Sequence, residues 1–510
     1  MSSLEGDEGM VFKVVKNAVE SGARVGRLAL PKRQPADTPN FFGLTSRGVL
    51  PHITPDNLNK HTRLAGTYMA LEDCKLRFNS VVAEYMADRS CIVVETSQQR
   101  ATPAIYNITD KTRDALQAFT AMPSSVATVL GARRHPAVTA PMGNGKDHIS
   151  ISTSMGFRKL QNKAYAQAID TLKPDIAIPL ADLTFGYEEA KQKIPTAKRQ
   201  YRMVDRTEEW LAQFFNILGV GEEQKPADSH VFAPLLPVPY PIQWDYLNRL
   251  AQDHIGRLSG LAVYDTDILP DLRDYAPLQS LPRLSLDFLV SPREILRQVQ
   301  LGIDIFTVPF INTASDAGIA LSFSFPSSPA TEKVMPLGIN MWSEEHQVSL
   351  EPLREGCGCY ACTKHHRAYL QHLLSAKEML GWTLLQIHNH QVVSDFFTGI
   401  RKAIVTEPSN FEENVQLFLR TYESELPKGT GQRPRARGYH FKSEGGQPKI
   451  NQPAWGKLEA ENGETGDPTM VAEMAGLAVT GAAGEGAETP VVPEVDSEEL
   501  NKKGFAEVDK

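Results

Sequence analysis

The sequence predicts an α/β fold, a (β/α) barrel in preference to a sandwich. Two observations carry this: short β runs alternate with helical periods from about residue 10 to 426, and one strand–helix–strand unit can be read residue by residue. A helix that joins two β runs requires parallel pairing, and several such units build either a barrel or a doubly wound open sheet. Periodicity alone does not distinguish closure from an edge, so both architectures stay open at this point.

In chain order the strand candidates are Cys91–Glu95, His148–Ser152, Asp175–Leu180, Gly260–Tyr264, Arg283–Phe288 and Ile303–Val308, each a short apolar or alternating run. The clearest helix lies between the last two. Ser291 can cap it, Pro292 suits its first turn, Glu294 completes a capping box and Gly302 ends it. Ile295, Leu296 and Val299 form one apolar stripe, as a helix laid on a sheet requires. The stretch Phe232–Pro241 holds four prolines and reads as a rigid extended connection. There is no internal repeat, no Walker-type phosphate loop and no G-x-G-x-x-G after a strand.

A chain of 510 residues with 41% hydrophobic residues can bury a large core, and it has no apolar run of the ~18 residues that a membrane span needs. Its acidic N-terminus, Met1–Glu8, has neither the basic nor the apolar region of a secretory signal, which predicts a non-secreted protein with no integral membrane segment. The net charge is −8, but residues 456–510 hold four lysines against thirteen acids, so the rest of the chain is close to neutral. After Pro427, breakers, basic residues and then Gly, Ala, Pro and Glu dominate, too few apolar groups to offset the entropy of ordering. The predicted organisation is therefore a main domain over 1–345, a subdomain with terminal helices over 346–426, and a disordered tail over 427–510. The basic stretch 428–438 could touch RNA phosphates, though a solvated linker is the commoner fate of such runs.

Five cysteines in this length are no disulfide framework, but Cys357, Cys359 and Cys362 lie within six positions. Clustered thiolates are soft ligands that suit Zn²⁺, and a structural site needs a fourth ligand. His365, His366, His372, His388 and His390 follow. The first two require a very tight loop, and His372 would project from the middle of a helical run from Thr363 to about Met379 with Tyr369, Leu370, Leu373 and Leu374 buried. His388, placed after a break at Gly381, can return to the cysteines. Three free thiols or a redox pair are the alternatives. A closed Cys₃His shell leaves no open coordination position, so the metal would be structural.

The motif Cys357-x-Cys359-x-x-Cys362, followed by twenty-five residues and His388-Asn389, resembles the zinc signature of the tRNA-guanine transglycosylases. Gly302–Phe306, Pro282-Arg283 and Ser259–Val263 resemble further motifs of that family, and the likeness covers about residues 10–405. It implies a TIM (β/α)₈ barrel with an attached zinc-binding subdomain, one structural Zn²⁺ per subunit held by Cys357, Cys359, Cys362 and His388, and exchange of guanine for queuine or its precursor at the tRNA wobble position. The departures fall on the chemistry. In catalytic members the strand after the capping-box helix reads G-[IV]-D-x-F-D, and its last aspartate attacks the ribose; here that position is Thr307, and Asp304 matches only the other aspartate. The essential aspartate of D-S-G-G-F-Q corresponds to Thr153 in Thr153–Arg158, with Met155 in place of a glycine and Arg158 in place of glutamine. Near the family's F-D-E-C stands Asp182.

A hydroxyl without an adjacent base is a poor substitute for a carboxylate nucleophile. The double loss resembles the non-catalytic subunit of the family's eukaryotic two-subunit enzymes, as do Gly131–Pro136 and Leu183–Gly186. No catalytic and no organic-cofactor residue is therefore expected. The implied partners are tRNAs with GUN anticodons and a catalytic subunit, met as a heterodimer through the zinc subdomain and the runs around 363–380 and 389–405. Tyr369, Leu373, Phe396 and Phe397 are candidates for that contact, although core packing is the commoner role for each. The implied location is cytoplasmic, with peripheral attachment to the mitochondrial outer membrane. Two rival readings are an active transglycosylase using Asp182, Asp287 or Asp304, and a zinc-stabilised interaction protein unrelated to tRNA.

Overall fold

A computed structural model describes residues 9–19, 21–73, 104–108, 114–138, 140, 143–153, 156–184, 195–219, 229–327 and 334–429. The expected strand Cys91–Glu95, the tail beyond 429, Met155 and the segment Phe185-Gly186 lie outside these residues. Eight parallel strands close into a barrel in the order β4 (Asn40–Leu44), β5 (Gly66–Ala70), β6 (Ala127–Gly131), β9 (Ile176–Ala177), β10 (His230–Leu235), β11 (Gly260–Val263), β12 (Arg283–Ser285) and β13 (Ile305–Thr307). Closure is made by β13 on β4, where Ile305, Phe306 and Thr307 pair with Asn40, Phe41 and Phe42. This decides between the two predicted architectures in favour of the barrel.

Side chains alternate along each strand. Phe42, Val129, Phe232, Ala262, Leu284 and Ile305 pack together in one core, joined by Leu28 and Ala36. Those two come from an antiparallel sheet of β1 (Val11–Asn17), β2 (Arg24–Ala29) and β3 (Ala36–Thr38). Phe41, Met69, Leu130, Val231, Leu261 and Phe306 belong to the larger core shared with the helices. Those helices include α3 (Asn162–Leu172), α4 (Ala197–Leu218), α5 (Tyr240–Gln252), α7 (Pro292–Leu301) and α8 (Phe310–Asp316), with short α1 (Pro55–His61), α2 (Ala115–Thr120) and α6 (Ala276–Gln279) between.

The helix with the clearest sequence signal forms as expected. In α7 the Ser291 N–H donates to Glu294 Oε2 at 2.7 Å, and Gly302 closes the helix at φ 93°. Two expectations need correction. The run Phe232–Pro241 is not a connection: its first half is barrel strand β10 and α5 starts at Tyr240. Prolines are tolerated there for a positional reason. Even-numbered residues of β10 turn their N–H toward β9, as His230 does to Asp175 O, but that pairing ends at Val231, so Pro234 lacks no partner it would otherwise have had. His148–Ser152 is a strand, but outside the barrel. β7 (His148–Thr153) pairs antiparallel with β8 (Gly156–Gln161), and Arg133 and Arg134 tie it down by donating to Ser150 O and Ser152 O.

Beyond the barrel, β14 (Ile319–Leu321) pairs with β15 (Gly338–Asn340), followed by α9 (Tyr360–Lys364), α10 (Arg367–Ser375), α11 (Met379–Thr406) and α12 (Phe411–Thr421). The expected break at Gly381 is misplaced. The chain turns at Lys377, which takes φ 57° without a glycine to announce it, and Gly381 lies inside α11. There it permits close approach of α10, since a Cβ would stand 3.2 Å from Leu373 Cβ and Leu374 Cδ2. Phe396 and Phe397 are fully buried against Phe323, Phe325, Phe418, Phe41 and Phe306, so they serve the main core.

One glycine seals α11 to the barrel side. A Cβ on Gly399 would fall onto the Phe325 carbonyl oxygen, far inside van der Waals contact. Gly399→Ala should gain about 1 kcal/mol of helix propensity yet be less stable overall, by about 2 kcal/mol or more, because backbone must move. A urea midpoint equal to or above that of the parent chain would refute this packing.

Candidate metal centre and barrel mouth

Cys357 and Cys359 sit on the loop before α9, Cys362 in its middle, and His388 in the first half of α11. The fold brings them together: the four ligand atoms lie within 4.8 Å of one another. His388 Nδ1 is 3.8, 3.5 and 3.3 Å from the sulfurs of Cys357, Cys359 and Cys362. Tetrahedral zinc, with bonds of about 2.3 Å to sulfur and 2.0–2.1 Å to nitrogen, sets sulfur–nitrogen edges at roughly 3.5 Å. The donor set and its spacing fit a metal ion of that kind. His388 Nε2 donates to Leu321 O at 2.9 Å, which leaves Nδ1 free to face the sulfurs and fixes the ring, as outer partners of ligating histidines commonly do.

Electrostatics point the same way. Burial disfavours the His388 cation, yet contacts with Cys357 and Cys362 outweigh it and push the ring up to about 9. Hydrogen bonds from Cys359 and Cys362 hold the Cys357 thiol low, and contacts with Cys357 and Cys362 push the Cys359 thiol up. The other histidines are elsewhere. His366 caps α10, accepting from Tyr369 N at 3.2 Å; His372 is exposed; and His390, two positions beyond His388, turns away to stack on Phe41.

The second candidate region is the barrel mouth. A cleft of about 1180 Å³ opens at the C-terminal ends of β6 and β9 to β12, where barrel enzymes place their chemistry. Arg133, His135, Ala181, Tyr264, Asp265 and Asp287 are among its lining residues; neither Thr153 nor Thr307 is. Thr307 is buried in the strand and donates to Ser285 O at 3.0 Å. Thr153 donates to Gly156 O at 2.7 Å across the hairpin turn. Of the rival carboxylates, Asp304 is fully buried, clamped by Arg24 at 2.5 and 2.9 Å, and accepts from Arg283 N. It precedes β13, and Thr307 ends that strand, so Asp304 cannot stand in for it. Asp182 is held by Arg199, Arg206 and Asn144. Asp287 accepts from Thr266 Oγ1 at 2.9 Å, Gln298 Nε2 at 3.2 Å and Phe288 N at 2.8 Å.

Two cleft residues were not singled out from sequence. Asp265 follows β11, and burial, aided by Asp287 and Asp267, raises its carboxyl above the usual range. His135 has a buried Nε2 without a hydrogen bond, and burial lowers the ring to about 4. The readable signal for Asp265 was a carboxylate immediately after a barrel strand.

Comparison with known proteins agrees with this architecture. Residues 19–424 match the family described as queuine tRNA-ribosyltransferase. The chain is 35% identical to the queuine tRNA-ribosyltransferase accessory subunit 2 of Schizosaccharomyces pombe, over 85% of this chain and 89% of that one. Proteins of the same description from Drosophila grimshawi and Drosophila melanogaster are 25% and 26% identical, covering 77% and 78% of this chain and 89% and 90% of theirs. The family match spans nearly all of the described length, closed barrel and Cys₃His cluster included, and with the 35% identity it establishes that the chain belongs to the queuine tRNA-ribosyltransferase family.

Proposed function

We propose that this chain is the non-catalytic subunit of a queuine tRNA-ribosyltransferase, pairing one-to-one with a catalytic chain of the same family to exchange guanine for queuine in tRNA. One observation carries this reading. The two positions where catalytic members place essential carboxylates hold Thr153 and Thr307, and both hydroxyls are spent on backbone carbonyls. A neutral hydroxyl that donates to a carbonyl has no negative charge to offer an oxocarbenium-like transition state. The Cys₃His group holds structural Zn²⁺, the ion that such a donor set and geometry suit best. Residues 363–380 supply the partner contact: Met379 and Leu380 are exposed there, and His365 stacks on Tyr369. The run 389–405 contributes less than its sequence suggests, because its apolar residues are mostly buried. This reading places the chain in the cytoplasm, with peripheral attachment to the mitochondrial outer membrane; among the described residues no helix is long and apolar enough to cross a membrane.

The test is labelled guanine incorporation into tRNA by the purified chain, by a catalytic homologue, and by the two together, with light scattering on the mixture. The chain alone should incorporate none, and the mixture should elute as a heterodimer and exchange base. Exchange by the chain alone would overturn the reading. It would favour the second one, in which Asp265 and Asp287, neighbours in the cleft, supply the acids. Asp265→Asn should then abolish that activity.

A further inference from the structure

The mouth of the barrel is electrostatically divided. On the side of β11 and β12 its rim carries Asp265, Asp267, Asp271 and Asp287. On the side of β6 and β9 the exposed side chains are mainly cationic: Lys146, Lys159, Lys163, Lys198 and Arg202. These five come from separate elements that the fold ties into one face. Trp210 Nε1 donates to Lys146 O at 2.8 Å, and Asn162 Nδ2 donates to Trp210 O at 2.9 Å. The loop bearing Lys146 and the first turn of α3 bearing Lys163 therefore meet the same point of α4. Arg206 donates to Asn144 O at 3.3 Å, so the stripe Lys198–Arg202–Arg206 of α4 runs beside that loop. Lys159 lies close enough to Asp147 to stabilise its charge.

Charge placement on this face runs against helix stability. Neither α3 nor α4 has an acid in its first turn, and neither N-cap side chain caps it. Instead Lys163 opens α3, and Lys198 and Arg199 open α4, adding cations to the positive ends of two macrodipoles. Arg199 and Arg206 are neutralised by the buried Asp182, but Lys198 and Arg202 have no ion pair among the described residues. Among the described residues Asp147, Asp205 and Glu209 are the exposed acids nearby, and Asp147 is bridged to His148 at 2.8 Å. From Trp210 to Ala197 helix α4 rises roughly 20 Å at 1.5 Å per residue. The cations are thus strung along a track rather than gathered at a point, which matches a phosphodiester backbone better than a single anion.

We propose that this face, formed by the 143–147 loop, β8 and the starts of α3 and α4, holds the backbone of tRNA in the heterodimer. The inference rests on the subunit reading above and adds the surface through which this chain serves it. A track of lysines and one free arginine contacts phosphates without reading bases, as a subunit that positions substrate for its partner requires. The acidic side of the rim repels the same backbone and so sets which side of the mouth the RNA takes.

The experiment uses the purified heterodimer and measures tRNA affinity between 50 and 200 mM salt (about the range over which counterion release is read). The triple variant Lys159→Gln/Lys198→Gln/Arg202→Gln should weaken binding about tenfold or more and lower the slope of log K against log salt by roughly two to three, near 0.9 per lost contact. KM for tRNA should rise while kcat at saturating tRNA holds. A control, Lys13→Gln/Lys16→Gln on β1 at the far side of the molecule, should change neither quantity. A complex that forms and exchanges base with an unchanged slope in the triple variant overturns this face alone, as does an equal loss in the control. A parent chain that never pairs with the catalytic chain overturns the subunit reading itself, and this inference with it.

Discussion

Replacing Cys359 with serine is expected to strip the chain of its metal and to loosen residues from about Leu353 to Leu385, while the barrel stays folded. Cys357 and Cys359 are buried in a small separate core with Leu353, Ala361, Leu370, Leu374, Trp382 and Leu385. That core is built around the four-ligand knot, and Cys359 also caps α9 by accepting from Cys362 N at 3.3 Å. Structural zinc contributes about 10–16 kcal/mol in small zinc-dependent domains. A core this small has few apolar contacts with which to replace it. The loss should stop within α11. From Ile387 to Ile404 its buried apolar residues belong to the barrel-side core, and Phe396 and Phe397 are wedged among five other aromatic rings. Elemental analysis should fall from one metal per chain to near none, and hydrogen exchange should accelerate over 353–385 but not over 392–404. His390→Ala should keep its metal, because His390 faces Phe41 and not the sulfurs. Unchanged metal in Cys359→Ser, or metal lost only in His390→Ala, would move the site elsewhere.

The same region shows where the sequence was legible and where it was not. Thiol spacing is local, so Cys357, Cys359 and Cys362 could be read directly. The histidine of the cluster lies beyond twenty-five intervening residues; among five candidates, loop length argued against His365 and His366 and position favoured His388, which the family resemblance then matched. The helix that carries it was placed wrongly because glycine is the usual sign of a left-handed turn, whereas here Lys377 takes that conformation and Gly381 serves close packing. Helix α7 was readable because cap, capping box and stop are all written within twelve residues. Strand β10 was not, since its prolines argue against a strand unless one knows that the neighbouring strand has ended. Closure is the least local feature of all. β13 pairs with β4 across more than 260 positions, and no residue near either strand announces the other.

Restoring a carboxylate at the lost nucleophile position should give no base exchange and a less stable protein. In Thr307→Asp the new side chain would lie in a fully buried strand position, beside Ser285 O, with Ile305 and Leu284 in the same interior. The threonine hydroxyl donates to that carbonyl, and an ionised carboxylate can only repel it. A protonated carboxyl can donate, so the folded protein would favour the neutral form and raise the folded pKa above the ordinary value of about 3.9. The sign follows from linkage. Below about pH 4 the group is protonated whether the chain is folded or not, and the substitution costs little. As pH rises through that value toward the folded pKa, the unfolded chain loses its proton first and stability falls, levelling off once the folded pKa is passed. A raise of two to three units corresponds to about 3–4 kcal/mol at neutral pH. A neutral buried acid is no nucleophile, and the second carboxylate would still be missing, since Thr153 remains tied to Gly156 O. Urea midpoints between pH 4 and 7 should show the gap from the parent chain widening with pH, alongside a blank guanine-incorporation assay. Measurable exchange by the isolated variant, or a stability gap independent of pH, would show that position 307 sits in a polar, working mouth and not in the sealed strand described above.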